Sequence, residues 1–321
     1  KILKSVASAP AKIILFGEHF VVHGTKAILA AIDKRVTVTT TFTENQTIKI
    51  NSELGTVEVP ISSSYELTKK EVKSEFRPFI FLANKIAGSS RGFYGLEITI
   101  DSDIPIGVGL GSSSACCVAA AASISGLLKE LSSEEILNLS IDAEKIIFPN
   151  TSGADCTVCT YGGMIEYPNI KKIDNTFDLN LLIVNSMIPH NTKNSVEKVN
   201  KFKENDEERF SQLCDLENRL IDEVIVAMKN NDATTFGLKM SENQKHLEEI
   251  QVSNDTLRGM ISSLKEISLG TKITGAGDGG CVIALVKDEN MDKAPALLPK
   301  DKECFSAKID TKGVVRSTIE E

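Results

Sequence analysis

A chain of mixed strand and helix in two domains is what the sequence predicts, and three observations carry the prediction. Strand-like alternation of Val, Ile and Thr crowds into the first hundred residues, at Val36 to Phe42, Thr47 to Ile50, Thr56 to Ile61 and Leu96 to Ile100. A glycine-rich loop, PIGVGLGSSS from Pro105 to Ser114, opens into an apolar run whose Cys117, Ala121, Ile124 and Leu128 share a helical face, so Ser113 to Leu128 reads as a buried helix. After the strand Leu179 to Asn185 the character changes to long polar helices, about Asn194 to Asn230 and Ala233 to Glu249, with Leu213, Leu216, Leu220 and Val224 as an apolar stripe. That change places the boundary between domains 1–185 and 186–321.

The chain has 321 residues, enough for two modest cores, and its 41% hydrophobic and 25% charged content is that of an ordinary globular protein. A net charge of −8 excludes general nucleic-acid binding, so any affinity for phosphate must come from local donors. No apolar run reaches the roughly 20 residues of a membrane span and the first residues lack a signal-peptide layout, so no membrane partner and a cytoplasmic location are expected. Seven cysteines, an odd number, fit reduced packing thiols; Cys156 and Cys159 form a C-x-x-C without the second pair or nearby histidine of a zinc site.

Residues 4 to 16 read as an extended segment running into the strand Lys12 to Phe16, where Lys12 is by itself a solvated strand end. Glu18 and His19 follow a glycine turn. Lys69 to Ala87 reads as a helix that Pro78 must kink or interrupt. Gly107, Gly109 and Gly111 let the backbone bend through positive φ, and a helix start behind them points orphan N–H groups at the loop, which makes an anion cradle in which Ser112, Ser113 and Ser114 cap the helix, meet a phosphate or ligate a metal. No Gly-Lys-Ser/Thr follows, so this is not a Walker A loop and a fixed lysine must come from elsewhere.

Ser132 and Glu135 form a capping-box signature for a helix running to about Phe148, in which Leu137, Ile141, Glu144 and Phe148 share one face. A carboxylate on an apolar face needs a cation, a hydrogen-bond partner or a route to water, and an ion pair with Lys145 serves as well as a metal. Asn150 to Gly163 reads as a turn-rich loop ahead of the strand Met164 to Tyr167, with Asp155 equally a turn residue and a functional one. The GAGDGG turn at 275–280 lies between Lys272 to Thr274 and the strand Cys281 to Val286, a hairpin pattern, and Gly313 to Ile319 is a last strand.

Three stretches, APAKIILFGEHFVVHG at 9–24, PIGVGLGSSSA at 105–115 and TKITGAGDGGCVIAL at 271–285, resemble in order and spacing the motifs of the GHMP kinases, the superfamily acting on galactose, homoserine, mevalonate and phosphomevalonate. GEH with VVHG, and TSGADCTVCTYGG at 151–163, look most like the branch that phosphorylates mevalonate. The resemblance implies the two-domain α+β architecture of that superfamily, with ATP and a small acceptor in the interdomain cleft, Mg2+ as metal, and a homodimer as one option for assembly. It assigns the phosphates to Gly107, Gly109, Leu110, Gly111, Ser112, Ser113 and Ser114, magnesium to Ser113 and Glu144, the acceptor to Glu18, His19, Thr192, Gly275 and Ala276, and catalysis to Asp155 and Lys12. The family usually has glycine where Asp278 stands, and a carboxylate there must point away from phosphate or meet a cation. Another acceptor within the superfamily and a catalytically silent metabolite sensor are the rival readings.

Overall fold

The computed structural model describes residues 2–61, 72–88, 95–174 and 177–320. Two sheets organise them. The first takes β1 (Ile2–Phe16), β2 (Ala27–Thr43), β3 (Thr47–Ser52), β4 (Gly55–Pro60), β5 (Gly95–Ser102), β6 (Met164–Tyr167), β7 (Lys171–Ile173) and β12 (Val315–Glu320); the second takes β8 (Leu181–Asn185), β9 (Ser268–Thr274), β10 (Cys281–Val286) and β11 (Glu303–Ala307). In the first sheet the order is β12-β1-β2-β5-β3-β4, with β6 on β2 and β7 on β6, while the second runs β11-β8-β10-β9 with every pair antiparallel.

Helices cover these sheets: α1 (Arg77–Ala87), α2 (Ser112–Leu128), α3 (Ser133–Glu144), α4 (Ala154–Tyr161), α5 (Thr192–Asn205), α6 (Glu207–Lys229), α7 (Ala233–Glu249) and α8 (Asp255–Leu264), with two single-turn helices, Asp288–Met291 and Ala294–Leu297, before β11. The α2 helix packs on β1 and β2 and is flanked by α1, α3 and α4. It is buried on every face rather than along one stripe, because its run of small residues, Ala119 to Ala122 among them, lets strands and helices close on it from all sides. Ile13 and Leu15 of β1, both fully buried, belong to the same core and contribute about 1.5–3 kcal/mol each.

Several elements differ from the sequence reading for identifiable reasons. The helix expected over Lys69 to Ala87 begins at Arg77, so Pro78 occupies its first turn, where a missing N–H costs nothing; Lys69 to Glu71 lie outside the described residues. The capping box at Ser132 and Glu135 forms as expected, but α3 ends at Glu144, short of Phe148. A helix, α4, interrupts the stretch expected to be loop, started by Gly153 in the left-handed conformation. Asp206 divides the helix expected over Asn194 to Asn230, its side chain accepting from the Arg209 N–H at 3.0 Å as the cap of α6.

Sheet membership also departs from a division at 185/186. All five residues of β8 are buried and pair on both sides within the second sheet, and β12 returns to the edge of the first. At the junction, Thr274 of β9 takes the place of a neighbouring strand for β1: its hydroxyl accepts from the Ile14 N–H at 3.1 Å and donates to the Ile14 carbonyl at 2.9 Å.

Candidate active site

The glycine loop and α2 form one wall of a cavity of about 850 Å³, lined by Gly107, Gly109, Leu110, Gly111, Ser112, Ser113 and Ser114 together with Lys12, Glu144 and Asp155. Every residue expected at the phosphates, the metal and the chemistry therefore meets in one place. No side chain caps the start of α2, whose N-cap is Gly111 at φ 70°. Orphan N–H groups and the positive end of the helix dipole thus face the cavity, a setting that favours an anion.

Gly111 is required for a second reason. A Cβ at this position would lie 2.5 Å from Lys12 Cγ, so the lysine stem runs directly over the glycine. Lys12 is buried, its own N–H donates to the Leu110 carbonyl at 2.9 Å, and its Nζ lies 3.2 Å from Asp155 Oδ2. Asp155 stands in the first turn of α4, where the dipole favours a carboxylate, and its side chain is 34% exposed. A cation and an anion are thereby held side by side at the cavity wall.

Glu144 needs no lysine. Its buried carboxylate accepts from the hydroxyls of Ser114 and Thr151, the latter at 3.0 Å, and from the Cys156 thiol at 3.2 Å. Among the described residues it has no cationic partner, Lys145 included, and its hydroxyl contact in α2 is Ser114 rather than Ser113, which lines the cavity one residue earlier. No group of three or more His, Cys, Asp or Glu among the described residues could hold a metal by itself. The donors that converge here are hard oxygens, one buried carboxylate with serine hydroxyls beside a phosphate cradle, and they fit magnesium, which takes one or two carboxylates and completes its shell with phosphates and water.

The expected acceptor residues divide into two groups. His19 and Ala276 are brought together, the ring Nε2 lying 2.6 Å from the Ala276 carbonyl, and burial holds His19 below the ordinary histidine range. Gly275 stands against Gly109. Thr192 is exposed at the first position of α5. None of the five lines the cavity, which they approach only through Gly275 beside Gly109, and Glu18 is further removed by being buried and ion-paired to Lys272. Asp278 occupies a left-handed conformation at φ 56°, and its carboxylate meets Lys198 Nζ at 2.9 Å and the Ser195 hydroxyl at 3.2 Å, so it finds a cation.

The seven cysteines are free, and burial pushes the thiols of Cys116 and Cys281 up to about 12 and those of Cys117, Cys156 and Cys159 up as well. Thiols held protonated are packing groups, and Cys156 of the C-x-x-C is in addition a hydrogen-bond donor to Glu144. Three parts of the site were not legible beforehand. Thr151 and Cys156 hold Glu144; His190, whose Nδ1 lies 2.6 Å from the Gly107 carbonyl, lines the cavity; and Leu54, Phe79, Ile106 and Phe148 give it apolar walls. Only the T-S-G run before Asp155 carried a signal for the first.

A phosphate cradle without a Walker lysine, facing a lysine–aspartate pair borne on a separate strand and helix, defines a small-molecule phosphotransferase. The chain matches the family model for the GHMP kinases N terminal domain over residues 79–163 and that for the GHMP kinases C terminal over residues 224–295. It belongs to the GHMP kinase family. A mevalonate kinase of Aeropyrum pernix is 30% identical to it, over 96% of this chain and 96% of the relative, and one of Thermococcus sibiricus is 34% identical over 92% and 93%. The crystal structure of the Methanococcus jannaschii mevalonate kinase matches the fold with a TM-score of 0.86 at 29% identity, covering 95% of this chain and 98% of that one.

Proposed function

We propose that the chain transfers the γ-phosphoryl group of ATP to the primary C5 hydroxyl of mevalonate, giving 5-phosphomevalonate for isoprenoid synthesis. The relatives named mevalonate kinase support the acceptor, and the observation that carries the chemistry is the Lys12–Asp155 pair, 3.2 Å apart on the wall of the cavity that the glycine loop lines.

Phosphoryl transfer asks a protein for positioning and charge neutralisation more than for covalent participation. The start of α2 and its glycine loop hold the phosphates. Asp155 accepts or orients the proton of the acceptor hydroxyl, and Lys12 balances the negative charge that develops beside it. His19 and the 275–276 turn hold the acceptor. Glu144 and Ser113 would hold magnesium, which when bound supplies positive charge against the phosphate oxygens. The apolar walls offer a hydrophobic surface to the purine ring.

ADP release measured in parallel with mevalonate, phosphomevalonate, homoserine and galactose tests the acceptor. Mevalonate gives the highest kcat/KM of the four; a higher value with phosphomevalonate or galactose overturns the specific acceptor and leaves the kinase family intact. A second test addresses the metal. Glu144→Gln keeps the shape and removes the charge, so the magnesium concentration at half-maximal rate rises. Unchanged magnesium dependence with lowered thermal stability would make Glu144 a purely structural hydrogen-bond acceptor.

A further inference from the structure

Lys272 is a lysine at 0% exposure in the middle of β9, a position at which a strand residue is ordinarily apolar. Its ammonium donates to Glu18 Oε1 and, at 2.6 Å, to the Ile273 carbonyl. Glu18 comes from the turn after β1, so the pair joins the first-sheet half of the molecule to the second sheet. Behind it stands a second buried acid, Glu217 of α6, whose carboxylate is taken by Asn243 Nδ2 at 2.9 and 2.8 Å and His246 Nδ1 at 2.5 Å, both on α7. That arrangement leaves Lys272 to Glu18.

As a source of stability this pair is poor. Removing both charges from water costs more than mutual attraction returns unless every lone pair is satisfied, and Glu18 Oε2 has no hydrogen-bond partner among the described residues. Its geometry suggests a different use. Strand periodicity puts Lys272 and Thr274 on one face of β9, and Ala276 follows in the turn that leaves the strand. All three touch the first half of the molecule: Lys272 at Glu18, Thr274 at Ile14, and the Ala276 carbonyl at His19. His19, adjacent to Glu18, has φ 65° and ψ −47°, a conformation that a residue with a Cβ adopts only when its surroundings hold it there.

We propose that Lys272, acting through Glu18, is a positioning residue for His19: the buried ion pair anchors the turn so that the ring stays against the Ala276 carbonyl at the acceptor end of the cleft. The inference rests on the reading of His19 as an acceptor contact. Burial pushes the Glu18 carboxyl up and the Lys272 ammonium down, each opposed by the other's charge, so neither is at ease without its partner.

The test uses the full chain with Lys272→Met, Glu18→Gln and the double variant, and reads both kinetics and the His19 ring signal in nitrogen-15 NMR, assigned by its loss in His19→Ala. Each single variant raises the KM for mevalonate about tenfold or more, leaves the KM for ATP within about twofold, and replaces the single hydrogen-bonded His19 signal by an averaged one. The double variant, free of uncompensated charge, regains thermal stability without regaining the KM for mevalonate, which separates positioning from folding. A folded variant with unchanged KM for mevalonate and an unchanged His19 signal overturns the proposal, as does equal loss of affinity for ATP and mevalonate. If Lys272→Met does not fold, Glu18→Gln decides by the same readouts. Should the wild-type protein not phosphorylate mevalonate, the acceptor reading falls alone, and the His19 signal still decides whether Lys272 holds the ring.

Discussion

Asp155→Asn folds, binds Mg-ATP and mevalonate, and loses most of its kcat. Asparagine fills the same volume and keeps a side-chain oxygen, so the chain still folds, at the cost of the carboxylate's interaction with the helix dipole, about 0.3–1 kcal/mol, and of a Lys12 ion pair that is partly open to solvent. The reaction loses more. An amide neither takes the hydroxyl proton nor balances the Lys12 ammonium 3.2 Å away, and general-base assistance is worth about 100-fold to 10,000-fold, or about 3 to 5 kcal/mol of barrier. The loss falls on kcat, with both dissociation constants changed far less. Calorimetric binding and single-turnover kinetics on one preparation separate the two effects, and a variant retaining more than about a third of the wild-type kcat removes Asp155 from the chemistry, since even the low end of the general-base range is larger.

Gly111→Ala carries the second large effect, through Lys12 rather than through the phosphates. At φ 70° an added Cβ costs about 1–2 kcal/mol in backbone strain, which lowers the melting temperature. That Cβ also falls 2.5 Å from Lys12 Cγ and 3.1 Å from Cε, so the lysine stem must shift, and the ammonium at its end loses its place beside Asp155. Displacement on that scale costs about 100-fold in kcat/KM. Gly107→Ala is the matched control. It has nearly the same φ, 75°, but nothing lies within 4 Å of its added Cβ, so it bears the strain alone and keeps at least about ten times the activity of Gly111→Ala. Equal losses in the two variants would show that strain, not the contact with Lys12, is what matters.

Local signals were read well from sequence, and signals that depend on the fold were not. The capping box at Ser132, the glycine loop with its helix, and the hairpin around GAGDGG each need only neighbours within a few residues, and each forms. The helix bearing Asp155 was hidden because T-S-G breaks the pattern just before a run of only eight residues, too short to show a period. Glu18 is assigned to the acceptor by the resemblance alone, and nothing in its own segment points to Lys272, the partner it meets 254 residues along the chain. Membership of β8 and β12 is set by the long crossings between sheets, which no local window contains. The cavity's apolar walls come from residues as far apart as Leu54 and Phe148, each an ordinary hydrophobic in its own segment.

The close burial of α2 has a consequence for where damaging substitutions should be found. A helix of 17 residues is a rod about 26 Å long, and a rod gripped on all sides passes a push at one end to the other almost undiminished. Ala119, Ala120, Ala121 and Ala122 lie in its middle, fully enclosed, with no slack to absorb even one extra methyl group. Changes there touch neither nucleotide nor acceptor, yet they shift the start of the rod and with it the N–H groups that face the phosphates. Loss-of-activity variants should therefore be distributed along the whole length of α2 rather than gathered at its glycine end, and the alanines would read in a mutational scan like binding residues although they bind nothing.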